Sequence, residues 1–305
     1  MDLSLFDWTI YWFMFPIAIC VATTAMLSGI GGAAIFAPIF MIVFPMLGPE
    51  YPLESIAAAI GVALLTEVFG FSSGFVGYYR KKLIDFRSAV PFIIVGVPIG
   101  VFGAIMLGIL SQFEEVLRGS YGLLMLILSY VIIKHHKPQS NRIRTKSAPF
   151  RQDDAVRVIK SKDGNRYEFP IPRQGKGAFA TGLGGFLTGL LGVGIGEVVM
   201  PQLVKHNQVP IPVAAATSVF IVIIVVASAS FTQITTLVAE GGLNAVPWNI
   251  VVYTVPAVIL GGQIGPRLQG KISQRTMEKA IGYLFFVIGV SMAWIAIRNT
   301  FVVGS

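Results

Sequence analysis

The chain has 305 residues, of which 54% are hydrophobic and 12% charged, and its formal net charge is +8. Soluble domains carry about 25% charged residues, so this composition excludes an ordinary soluble fold and points to helices crossing a bilayer core of ~30 Å. Continuous apolar runs, in place of alternating ~10-residue segments, exclude a transmembrane β-barrel.

In chain order, the N-terminal stretch MDLSLFDWTIYW has two aspartates and no basic residue. A cleaved signal peptide needs a positive leading region, so the first apolar run reads as a permanent helix. Apolar segments are expected at about 8–28, 33–47, 56–79, 88–110 and 116–133. After a polar loop they resume at about 177–192, 195–205, 212–238, 246–266 and 280–297. The segments 33–47 and 195–205 are too short to span comfortably and suit half-helices or re-entrant arms. The loop itself contains AVRVIKS, KDGN and RYEFPIP, which read as two alternating strands around an Asp163-Gly164 turn. A basic linker is the favoured reading of that loop, with a partner-binding or gating element as the alternative.

Charge sets the expected orientation. Residues 134–176 hold twelve Lys or Arg against four acidic residues, which is the whole net charge. That excess is a topology signal and argues against a nucleic-acid partner. With this loop in the cytoplasm, 21 of the 23 basic residues fall inside, and only Arg118 and Arg298 fall outside. Both termini then face outward.

The two halves resemble each other. SGIGGAAIFAP (28–38) matches LGVGIGEVVMP (191–201), IAAAIGV (56–62) matches VAAATSV (213–219), and PFIIVGVPIG (91–100) matches PAVILGGQIG (256–265). LSQFEEVLRGSYG (110–122) loosely matches ISQRTMEKAIGY (272–283). An odd number of segments in each half makes the second start on the opposite side. The expected fold is therefore an all-α polytopic membrane protein of two inverted-topology repeats with about five helical segments each. Its units are residues 1–133, a linker 134–176 and residues 177–305, a construction common among secondary transporters.

No enzyme emerges. His135, His136 and His206 lie at expected cytoplasmic edges, the single cysteine is Cys20, and metal-ligand spacing is absent. Neither a metal nor a cofactor is expected. The glycine stretches carry the strongest signal, because irregular backbone survives in hydrocarbon only where it is buried or lines a cavity. Gly29, Gly31 and Gly32, with Gly192, Gly194 and Gly196, permit such a break. The helix start beyond each break offers N–H donors that favour an anion. Pro38 and Pro201 sit in the following arms and free a further carbonyl. The pairs Gly70/Gly74, Gly96/Gly100, Gly185/Gly189 and Gly261/Gly265 read as helix packing or as a homodimer face.

Glu67 and Glu197 lie at membrane depth, where a charge costs ~2.5–3.5 kcal/mol, so both are candidates for coupling transport to an ion. Glu197 stands in the second glycine stretch where the first has Ala34. Gln202, Thr217 and Ser218 join the candidate lining as neutral donors suited to oxyanions. Any single Ser or Thr in a helix more often bonds its own backbone.

With the duplicated glycine–proline stretches, AAATS at 214–218 and the inverted halves, the chain resembles the TauE/SafE family of sulfite and organosulfonate exporters from about residue 15 to 297. The resemblance implies a carrier of the bacterial inner membrane that moves sulfite, sulfoacetate or related sulfonates. It also implies that Gly29, Gly31, Gly32, Pro38, Gly192, Gly194, Gly196 and Pro201 frame the pocket. Carriers of carboxylates or sulfate, an anion channel and a membrane scaffold are the alternatives.

Overall fold

A computed structural model describes residues 7–51, 53, 55–134, 156–171, 175–268 and 274–303. The first half opens with α1 (Met14–Ser28) and α2 (Ala33–Pro38), which passes through a π-turn (Ile39–Val43) into α3 (Phe44–Leu47). Three long helices follow: α4 (Ile56–Arg80), α5 (Phe86–Leu110) and α6 (Glu114–Lys134). A hairpin of β1 (Val156–Lys160) and β2 (Arg166–Pro170) precedes the second half. That half contains α7 (Ala178–Leu191), α8 (Ile195–Pro201) with a π-turn (Gln202–His206), α9 (Ile211–Gly241), α10 (Trp248–Leu268) and α11 (Gln274–Val303). Among the described residues six helices are long and apolar enough to cross a membrane. The architecture is that of an all-α polytopic membrane protein.

Local chemistry sets the breaks. α1 ends on Gly29 (φ 72°) and α7 ends on Gly192 (φ 77°), each in the left-handed region and each returning its N–H to a carbonyl four residues back. Glycine is the residue that enters this region without a Cβ penalty. Pro38 and Pro201 each end a short α segment, and a π-turn follows at once. A proline lacks an N–H and its ring displaces the carbonyl four residues earlier, which widens the turn in both arms. The expected start of the first helix at residue 8 moves to Met14, because residues 7–13 fold as turns. Asp7 accepts from the backbone and hydroxyl of Thr9 in that turn.

The halves interleave. α1 packs on α10 while α7 packs on α5, α10 lies on α4 while α5 lies on α9, and α4 meets α9 at the centre. Small residues bring these helices close. A Cβ on Gly189 would fall 1.9 Å from the Gly100 carbonyl oxygen, and one on Gly262 would fall 2.4 Å from that of Gly70. Gly70, Gly74, Gly96, Gly100, Gly185, Gly189, Gly261 and Gly265 are all buried within the chain.

Candidate functional site

The starts of α2 and α8 meet at the centre of the bundle. A Cβ on Gly196 would lie 3.3 Å from the Gly29 carbonyl oxygen and 3.6 Å from the Gly31 nitrogen. One on Gly192 would lie 3.5 Å from the Ala33 Cβ. The two duplicated stretches thus form one locus, with Gly29, Gly31, Gly32, Gly192, Gly194 and Gly196 all in it. Pro38 and Pro201 lie one to two turns along the arms and shape their exits.

Three backbone donors of this locus are held by carboxylates. Ala33 N–H donates to Glu67 Oε2 at 2.7 Å, so a side chain of α4 caps the start of α2. Gly194 N–H donates to Glu197 Oε2 at 3.1 Å, the returning half of a capping box. The other oxygen of Glu197 crosses to the first half, where Gly31 N–H donates to it at 3.3 Å. Glu67 also stands against Gly31, whose Cβ would be 3.1 Å from Oε1. The sequence pointed to free donors for an anion; the fold fills them with its own carboxylates, because a buried N–H without a partner is costly. Glu67 is 3% exposed, whereas Glu197 keeps partial exposure. Among the described residues neither forms an ion pair; both accept from backbone N–H groups.

Several side chains around this pair were not anticipated. Thr188 Oγ1 accepts from Ile195 N–H at 2.8 Å while its hydroxyl donates to the Gly184 carbonyl at 2.9 Å, tying the start of α8 to α7. The Tyr121 hydroxyl donates to the Ala34 carbonyl at 3.2 Å. Thr66 and Thr254 share a hydrogen bond of 3.0 Å between α4 and α10. Thr188 precedes Gly192 by one helical turn, a spacing that could have flagged it. A small cavity beside Glu67 is lined by Ala22, Ala25, Gly32, Phe36, Thr66 and Gly70 among others.

The other three candidates have partners of their own. Gln202 donates to the Gly177 carbonyl at 3.0 Å and accepts from Thr181, fastening the second arm to the start of α7. Thr217 Oγ1 accepts from Asp85 N–H at 3.0 Å, and Ser218 bonds within its own helix to the Ala215 carbonyl. Among the described residues no group of three metal-ligating side chains converges.

The fold is a polytopic helical bundle broken twice at its centre around two carboxylates, and its family and relatives make it a membrane transporter. The chain belongs to the sulfite exporter TauE/SafE family, whose family description matches residues 14–292. It is 23% identical over 286 residues to "Probable membrane transporter protein YunE" of Bacillus subtilis (strain 168), covering 91% of this chain and 95% of that one. It is 22% identical over 272 residues to a "Probable membrane transporter protein" of Xylella fastidiosa (strain Temecula1 / ATCC 700964), covering 88% and 89%. No solved structure matches the chain.

Proposed function

We propose that this transporter is a secondary carrier that exports small sulfur-containing anions, such as sulfite, sulfoacetate and other organosulfonates, by alternating access. Residues 1–133 and 177–305 act as two inverted repeats joined by the linker 134–176. The carrier sits in a bacterial inner membrane, with the linker in the cytoplasm and both termini outside.

One observation carries this reading: Gly31 of the first half and Gly194 of the second present their N–H groups to one carboxylate, that of Glu197. Donors already arranged around a two-oxygen anion at the meeting of two half-helices suit a sulfite or sulfonate group that takes the carboxylate's place. Glu197, and Glu67 behind it, serve as coupling groups: each holds backbone donors while charged and releases them on taking up a proton. The sulfur chemistry rests on the family's name.

Counterflow in proteoliposomes tests the reading with labelled sulfite, thiosulfate, sulfoacetate, taurine and sulfate. Saturable exchange of sulfite or a sulfonate supports it. Unsaturated electrogenic flux indicates a channel, and absence of flux for every anion indicates a scaffold. A second reading, a carboxylate carrier, draws on the same geometry, because the groups that now hold the donors are carboxylates. Preferential exchange of small carboxylates in the same assay would select it.

A further inference from the structure

The hairpin of residues 156–171 has two unlike faces. Its register sets Arg157 opposite Phe169 and Ile159 opposite Tyr167, and these four point one way. Val158, Lys160, Arg166 and Glu168 point the other way and are exposed, with Arg166 and Glu168 paired at 2.8 Å. On the inner face Phe169 is fully buried, while Ile159 and Tyr167 pack against the apolar core. Lys162 N–H donates to the Lys81 carbonyl at 3.0 Å, which seats the hairpin on the turn between α4 and α5.

Arg157 is the charged member of that inner face. Its Nη1 donates to both oxygens of Asp85, at 2.7 and 2.8 Å, and to the Ser88 hydroxyl at 2.9 Å. Asp85 is 6% exposed and caps α5 by accepting from Ser88 N–H at 3.3 Å. Its own N–H reaches Thr217 of α9, which joins the first half to the second. Nearby, the rings of Phe86 and Phe220 lie 4.9 Å apart across the same junction.

An isolated two-stranded hairpin is marginal in water, and a linker has no need to bury an ion pair. Burying one costs desolvation, and removing one partner strands a charge. A slip of one residue would turn Arg157 outward, so the ion pair forms only in the seated register. Gly196 lies level with Val222, five residues beyond Thr217 on α9, or roughly 8 Å along the helix. The junction of Asp85 and Thr217 therefore stands between the carboxylate site and this end of the bundle.

We propose that the hairpin is a latch. Seated by Arg157 on Asp85, it holds the α4–α5 turn against α9 and keeps the route from Glu197 to this side closed. When it leaves, the turn parts from Thr217 and the route opens. The route rests on the carrier reading above; the docking does not.

The test replaces Lys81 and Lys162 by cysteine in a chain carrying Cys20→Ser, since the backbone contact between them places their Cα atoms within disulfide reach. Two readouts are compared before and after reduction: counterflow, and amide exchange over residues 80–88 and 211–222. The latch requires that the disulfide cut counterflow at least tenfold, slow exchange in both segments, and do so reversibly on reduction. Equal flux and equal exchange with the disulfide formed would overturn it. If the reduced protein carries no anion, the carrier reading fails, and exchange alone decides the latch. Arg157→Gln complements this, with exchange at Asp85 expected to rise at least tenfold. Asp85→Asn together with Arg157→Gln is expected to recover part of that rise.

Discussion

Gly31 in the first half donates its N–H to Glu197 in the second at 3.3 Å, across 166 positions of sequence. One oxygen of Glu197 thus serves the opposite half while the other closes its own helix start at Gly194. The two breaks are held together by one carboxylate, which on the proposed reading an arriving anion replaces.

Glu197→Gln keeps the side chain's length and one acceptor oxygen, but sets an amide NH₂ against an N–H donor. Wild-type counterflow is expected to depend on pH, and the variant's to lose that dependence. An unaltered pH profile with intact transport would remove Glu197 from coupling.

Gly31 and Gly32 are adjacent but should respond differently. A Cβ on Gly31 meets Glu67 Oε1 at 3.1 Å, whereas one on Gly32 finds its nearest neighbours at 3.8 Å. Overpacking costs about 1–3 kcal/mol, so Gly31→Ala is expected to weaken anion binding by roughly tenfold while the protein still inserts. Gly32→Ala should bind within about twofold of wild type. Titration calorimetry of both purified variants checks the contrast.

Thr188 holds the Ile195 N–H. Thr188→Val leaves that donor buried without a partner, at about 1–3 kcal/mol, and should lower Tm in detergent by several degrees. Thr188→Ser restores the acceptor and most of the loss. If valine and serine variants melt alike, the hydroxyl is not what secures the start of α8.

Thr66 and Thr254 are buried and bonded to each other. Changing either to valine strands the other, at about 1–2 kcal/mol. Changing both removes the demand on each side and should fall close to wild type. A double-mutant cycle from thermal unfolding measures the coupling, and additive losses would show that the pair is not acting as a unit.

The helices, the two breaks and the hairpin were legible because each rests on local chemistry. Apolar length set the spans, Gly29 and Gly192 supplied left-handed backbone, and Pro38 and Pro201 marked the arms. The expected arms at 33–47 and 195–205 agree closely with the observed ones, which run from Ala33 to Leu47 and from Ile195 to His206. Glu67 and Glu197 were visible as carboxylates in apolar surroundings. Their partners were not, since nothing near Glu67 in the sequence names Ala33.

The sequence by itself determined that this chain crosses a membrane as helices and breaks two of them at matching places, because hydrophobic length and backbone freedom are properties of short stretches. Only the tertiary structure decided where the polar groups went. It turned Thr217 to Asp85 and Gln202 to Gly177, away from the glycine locus, and brought Arg157 down onto the α4–α5 turn. It also gave the donors at both helix starts to carboxylates from α4 and α8. In a water-poor interior each buried donor takes the acceptor that packing brings within reach, and packing is a property of the whole chain.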